Sequence, residues 1–144
     1  MLVASSLEYS PLSVPERKKI LDICTKELLT PKGIRSLSPK SGGYNPMYVG
    51  PQNQRDLAYH QGTAWPWLTG FYLEAYLRVY RMSGVNYIER QLIGFEEELF
   101  YHCIGTIPEL FDGNPPFAGR GAISFAMNVA EILRALELLD KYQY

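Results

Sequence analysis

Glycine and proline divide this chain more sharply than any other signal. Residues 30–63 and 102–121 hold nine of its twelve glycines and seven of its ten prolines. Glycine frees the backbone for turns and proline removes a helix donor, so neither stretch suits a continuous helix. Helical periodicity appears in four segments around them. Ser13-Val14-Pro15-Glu16 has the form of a capping box with an early proline, and Ile20, Cys24 and Leu28 follow at i, i+4, i+8. This helix is predicted to end near Leu29, ahead of Pro31 and Gly33. A second runs from about Pro66 to Met82, with Leu68, Tyr72, Ala75, Tyr76 and Val79 on one face and Ser83-Gly84 as its stop. A third, about Tyr87 to Tyr101, carries Ile88, Leu92, Phe95 and Leu99. The fourth, about Ile123 to Tyr142, shows a stripe of Val129, Ile132, Leu133, Leu136 and Leu139, with Glu131, Arg134 and Glu137 mostly off it. Strand signals are poor. The expected fold is all-α, a single domain over residues 1–144 built from antiparallel helical hairpins.

The two interrupting stretches are longer than most helix–helix connections, and long connections are either functional or disordered. Disordered segments are poor in aromatics, whereas these contain Tyr44, Tyr48, Tyr59, Phe111 and Phe117. Ordered loops are therefore expected. Each precedes the second helix of a hairpin, which places both at one end of an antiparallel bundle, where function tends to reside.

A chain of 144 residues buries about two-thirds of its extended surface, enough for one core. Net charge is −1 and neither sign is clustered, so no nucleic-acid footprint is present. The first residues lack the basic flank and apolar run of a signal peptide, and no segment reaches the roughly 20 apolar residues of a membrane span. Cys24 and Cys103 both stand among aliphatic or aromatic neighbours and are expected to be free buried thiols, which fits a cytoplasmic protein.

Residues 55–67 read Arg-Asp-Leu-Ala-Tyr-His-Gln-Gly-Thr-Ala-Trp-Pro-Trp. A core has little use for so many kinds of polar group, while a sugar site needs hydrogen bonds beside flat apolar faces. His60 and Gln61 read as ligand contacts or as structural donors, and Thr63 as a cap for the following helix. Metal ligation by His60 is not expected, because no Cys, His or acidic partner stands at ligand spacing. Trp65 and Trp67 are two apart at a helix start and point in different directions, so one faces a ligand at most. Arg55-Asp56 reads as an ion pair bracing the loop, and Arg120 as a brace for the second one. His102, alone at a helix end, reads as structural.

The second loop contains Pro108-Glu-Leu-Phe-Asp-Gly-Asn-Pro-Pro116. Glu109 lies in a rigid apolar setting and reads as a general acid or base, or else as a cap or ion-pair partner. Asp112, ahead of Gly113-Asn114, reads as a turn former. A glycosidase needs two carboxylates across the scissile bond. Glu109 qualifies as one, and Asp56 and Asp112 are weak candidates for the other.

Three segments resemble the amylo-α-1,6-glucosidase domain of glycogen debranching enzymes: Thr30-Pro-Lys-Gly-Ile-Arg-Ser-Leu-Ser-Pro39, Arg55 to Trp67, and Pro108-Glu-Leu-Phe-Asp-Gly113 followed by Arg120-Gly121. The resemblance covers nearly the whole chain in order. It implies an (α/α)6 toroid with a sugar pocket at one end and inverting hydrolysis of α-1,6 branch points in glycogen or a limit dextrin. Glu109 would be the general base, with Tyr59, His60, Gln61 and Trp65 around the glucose unit and Arg55 and Asp112 as further substrate-binding residues. No cofactor and no metal are implied.

Six hairpins with such loops need on the order of 350 residues, so the resemblance is to the C-terminal part of the toroid. The general acid is then expected upstream of the 144 residues, in the missing N-terminal part of the ring. The chain alone is expected to be inactive and to self-associate through helix faces meant for neighbours. Three other readings remain: an (α/α)6 glucosidase of glucoamylase or trehalase type, separable by linkage specificity; a non-catalytic carbohydrate-binding module, separable by binding without turnover; and a plain helical domain whose loops brace one another, which Glu109 buried against an arginine would favour.

Overall fold

The computed structural model describes residues 1–143. A short helix α1 (Leu2–Ser6) leads to α2 (Val14–Ile23), which unwinds into a π-helical turn, Cys24–Leu28. The capping box forms at its start, with the Ser13 N–H donating to Glu16 Oε2 at 2.8 Å. Strands β1 (Leu29–Thr30) and β2 (Gly33–Arg35) follow, then α3 (Gln52–Ala58) and β3 (Ala64–Trp65). Helix α4 (Pro66–Tyr80) ends in a 3-10 turn, Arg81–Gly84, and α5 (Val85–Glu96) continues almost directly into α6 (Glu98–Tyr101). Strands β4 (Leu110–Phe111) and β5 (Gly119–Arg120) precede α7 (Ala126–Gln143). None of the described helices is long and apolar enough to cross a membrane.

The four predicted helices are present with ends shifted by a few residues, but the all-α expectation is corrected. The five strands form one antiparallel sheet in the order β1-β2-β3-β4-β5. Each strand is two or three residues long, too short for an alternating pattern to appear. Gly33 and Gly119 within them, and Pro31 and Pro66 directly beside β1 and β3, also read as loop. The sheet nonetheless does what the loop argument required, because it pairs the two long connections: Ile34 faces Trp65, Ala64 faces Phe111, and Leu110 faces Arg120. Gly33 has a reason to be glycine there. At φ 141°, a Cβ on it would stand 2.7 Å from the Trp65 carbonyl carbon, so a side chain would push β2 away from β3.

Helix α4 is the centre of the core. Tyr72, Leu73, Ala75 and Leu77 are buried on several of its sides, against Leu21 of α2, Cys24 of the π-helical turn, Ile88, Leu92 and Phe95 of α5, and Ile132, Ala135 and Leu139 of α7. The α7 stripe is therefore narrower than expected: Leu133 and Leu136 are exposed on its outer side. A further correction concerns the thiols. Cys24 is buried and burial pushes its thiol up, but Cys103 is exposed in the bend after α6; both are free.

Candidate functional site

Proline at position 66 starts α4 without needing a backbone donor, and Trp67 carries the first free N–H. That N–H is not satisfied by Thr63. It donates to Asn128 Oδ1, 3.0 Å away on α7, while the Asn128 amide donates to the carbonyls of Pro108 at 2.6 Å and Glu109 at 2.9 Å. One buried amide thus fastens the start of α4 to the backbone that carries Glu109. Thr63 turns inward instead, donating to the Tyr59 carbonyl at 2.8 Å and accepting from the Trp65 indole at 3.1 Å. Asn128 was not among the residues singled out from sequence, since a lone asparagine inside an apolar helical pattern carries no local signal.

Side chains around Glu109 come from both loops. The Tyr59 hydroxyl donates to Glu109 Oε1, and the Ala122 N–H donates to Oε2 at 2.9 Å. The Glu109 N–H in turn donates to the Ala122 carbonyl at 2.9 Å. Burial, reinforced by the bond to Glu109, pushes the Tyr59 phenol up to about 12. The ring is held edge-on by Trp65 at 4.8 Å between centroids and by His60 at 4.6 Å. Tyr48, Arg55, Glu109, Arg120, Gly121 and Ala122 line an open cleft of about 630 Å³, which lies in the size range of small-ligand sites. Among the described residues, Glu109 is the one carboxylate in that lining.

Asp112 is 0% exposed and sits behind the cleft rather than in it. Its Oδ1 accepts from the Tyr48 N–H at 2.8 Å, and its Oδ2 accepts from Arg120 Nε at 2.9 Å and Nη2 at 2.8 Å. Such a fork fixes a guanidinium firmly. Asp112 therefore reaches across to the other loop instead of closing a turn on its own backbone, and it positions two groups that line the cleft. Arg55 does not pair with its neighbour Asp56, because adjacent residues on a helix do not face each other. Its guanidinium stands 5.7 Å from the centroid of the Tyr48 ring.

Helix α3 divides the remaining predicted residues from the cleft. His60 and Gln61 are exposed and line a second hollow of about 460 Å³ with Asn45, Asp56 and Leu57. Trp65 is only 6% exposed and stacks beneath His60, with centroids 5.6 Å apart. It supports the rings of Tyr59 and His60 rather than presenting a face of its own, and Trp67 packs edge-on against Phe71. The structure thus brings Tyr59, Arg55 and Glu109 together, keeps Asp112 as their support, and turns His60 and Gln61 to the other side. Further bonds lock the loops: Gly113 N–H to the Pro46 carbonyl at 2.8 Å, Tyr44 hydroxyl to Asn114 Oδ1 at 2.8 Å, and Arg35 Nε to the Gly113 carbonyl at 2.7 Å. His102, read as structural, follows α6 with its Nε2 3.5 Å from Glu98 Oε2.

A family model described as amylo-alpha-1,6-glucosidase matches residues 1–134. The chain is also similar to the glycogen debranching enzyme of Saccharomyces cerevisiae, with 38% identity over 72 residues. That match covers 45% of this chain and 5% of the yeast protein, so the chain corresponds to a small share of that relative's length. The chain belongs to the amylo-alpha-1,6-glucosidase family.

Proposed function

We propose that this member of the amylo-alpha-1,6-glucosidase family holds a glucosyl unit of an α-glucan against Glu109, which acts as the general base of an inverting debranching reaction. The observation that carries this reading is the seating of the Glu109 carboxylate at the edge of an open cleft, oriented from both sides by the Tyr59 hydroxyl and the Ala122 N–H. In inversion, the base takes a proton from water as that water attacks the anomeric carbon, on the ring face opposite the leaving oxygen. A general acid, its carboxyl about 6.5–9.5 Å from that of the base, protonates the leaving oxygen. Asp112 is not that acid in this reading, being buried and committed to Arg120 and Tyr48. The acid is proposed to come from a segment outside these residues, which together with them completes an (α/α)6 ring. Free Cys24 and Cys103 agree with a reducing, cytoplasmic setting as part of the same proposal.

The test uses the 144-residue chain and glucose oligomers. Calorimetry should detect glucan binding that weakens in Glu109→Gln and Tyr59→Phe, while no glucose is released from a branched limit dextrin. Absence of any binding would overturn the cleft reading. Glucose release that Glu109→Gln abolishes would overturn the placement of the acid elsewhere.

The outer side of α7, with Leu133 and Leu136 exposed, and the α5–α6 flank with Ile93 and Phe100 exposed, are apolar surfaces without a partner among the described residues. In this reading they seat the rest of the ring, and in the chain alone they drive self-association.

A further inference from the structure

The two walls of the Glu109 cleft are held very differently. Glu109, Gly119, Arg120, Gly121 and Ala122 form one wall. It is tied down by the pairing of β4 with β5, by the bonds between Glu109 and the Ala122 backbone, and by the grip of Asp112 on Arg120. Tyr48, Val49, Gly50 and Arg55 form the other wall, and they belong to the excursion that carries α3. This excursion leaves the body at Tyr48 and returns at Tyr59, whose rings stand 5.7 Å apart. Both ends are pinned, the Tyr48 N–H to Asp112 Oδ1 at 2.8 Å and the Tyr59 hydroxyl to Glu109 Oε1.

Little holds the residues in between. Residues 49–57 are all exposed, and Ala58, at the end of α3, is the first buried side chain after them. Apart from the turns of α3 itself, which run from Pro51 to Tyr59, none of residues 49–57 makes a hydrogen bond or ion pair among the described residues. What joins them to a pinned end is the Arg55 guanidinium over the Tyr48 ring, 5.7 Å from its centroid. Such a contact is weak where water reaches it. A seven-residue helix also has little stability of its own. Gly50, at φ 86°, stands at the turn into α3, where a residue without Cβ lets the backbone pivot. Segments with few buried contacts and exposed backbone bonds open far more readily than the core beneath them, and lids are drawn from such segments.

We propose that residues 49–57 are a strap that opens and closes as one unit on the Glu109 cleft, with Arg55 on Tyr48 as its latch. An occupant of the cleft bridges Arg55 on the strap and Glu109 on the fixed wall only in the latched position, so it holds the strap closed. That second step rests on reading the cleft as a sugar site. Amide hydrogen exchange of the 144-residue chain, read residue by residue, tests both steps, with maltoheptaose as the probe of the cleft. In the free chain the amides of Asp56, Leu57, Ala58 and Tyr59 are expected to share one opening constant, on the order of a hundredfold above that of α4. Arg55→Gln is expected to raise this constant about threefold, the scale of one exposed cation–π contact, and to leave α4 unchanged. Maltoheptaose is expected to lower it. Amides as slow as those of α4, or graded exchange along α3, would overturn the strap and leave the cleft reading standing. An unchanged constant in Arg55→Gln would overturn the latch. Maltoheptaose that binds by calorimetry without slowing these amides would overturn the closing by an occupant. Absence of binding overturns the cleft reading, while exchange in the free chain still decides the strap.

Discussion

The Tyr59 hydroxyl donates to Glu109 Oε1, joining the Arg55–Trp67 segment to the second loop at one carboxylate. Glu109 reaches this position because Asn128 fixes its carbonyl and Ala122 fixes its amide and its other oxygen. Orientation of the carboxylate is therefore set by residues from the first loop, the second loop and α7 together.

The Tyr59 phenol titrates near 12 in the fold, raised from its ordinary value of 10. A raised folded value means that the unfolded chain loses this proton first. The neutral phenol therefore stabilises the fold fully below about pH 10, and that contribution disappears as pH rises towards 12. In Tyr59→Phe, an absorbance titration should lack one late phenolate step, and the alkaline decline in stability over this window should be shallower. A phenolate step count unchanged between pH 10 and 12 would contradict the arrangement. The buried Tyr72, pushed higher still by burial, adds no phenolate step of the folded protein within that window, and its share of the alkaline decline in stability is the same in both proteins.

Replacing Asn128 by alanine removes three hydrogen bonds from a fully buried site and strands the Trp67 N–H and two carbonyls. Unsatisfied buried groups cost about 1–3 kcal/mol each at most and share water on relaxation, so a total loss of about 2–4 kcal/mol is expected. Urea unfolding measures it directly. A loss below about 1 kcal/mol would show that Asn128 does not hold α4 to the Glu109 segment.

The helices were legible because each repeats its signal over three or more turns. Ser13 and Glu16 announce a start, and Ile88, Leu92 and Phe95 keep one face. The sheet was not legible, since a strand such as Ala64–Trp65 has no room for a period. Glu109 and Tyr59 stood out from their residue types and neighbours. Three other features were hidden because they depend on long-range pairing. Asp112 bonds to Tyr48 and Arg120 rather than locally, Asn128 caps a helix other than its own, and Trp65 is covered by His60 and Tyr59. Local chemistry in a sequence cannot tell a ring that faces a cleft from one that supports it.

Asp112→Asn keeps an acceptor for the Tyr48 N–H but leaves Arg120 without its counter-charge. Breaking a fully buried pair costs about 3–5 kcal/mol. Arg120 is one-third exposed, so water recovers part of this and about 2 kcal/mol is expected. Chemical denaturation gives the value, and amide shifts at Tyr48 and Arg120 should report the loosened cleft wall. Unchanged shifts at both residues would place the support of this wall elsewhere.

Leu133 and Leu136 on the outer side of α7 should make the isolated chain associate at tens of micromolar. Light scattering should show a mass above that of one chain, and Leu133→Glu combined with Leu136→Lys should restore it to one chain. Neither residue belongs to the core, so the double variant is expected to keep its stability within about 0.5 kcal/mol. A sharp monomer mass for the unmodified chain would remove the argument that these faces are sticky.

Gly121 stands directly beside the Glu109 carboxylate at φ 72°, a left-handed conformation. A Cβ added there would collide with Glu109 Oε2, the oxygen that accepts from the Ala122 N–H. Gly121→Ala therefore carries two costs. The left-handed backbone with a side chain costs about 1–2 kcal/mol, and the carboxylate must swing off its donor. Displacement of a catalytic group by about 1 Å lowers turnover on the order of a hundredfold, so an active assembly containing this variant should lose most of its rate while the fold survives. Gly105→Ala is the matched control, since Gly105 is also left-handed at φ 75° and a Cβ there meets nothing within 4 Å. Calorimetry of glucan binding, urea unfolding and turnover of both variants separate the two costs: loss of stability without loss of binding or rate would mean that Glu109 need not be held at Ala122 for its role.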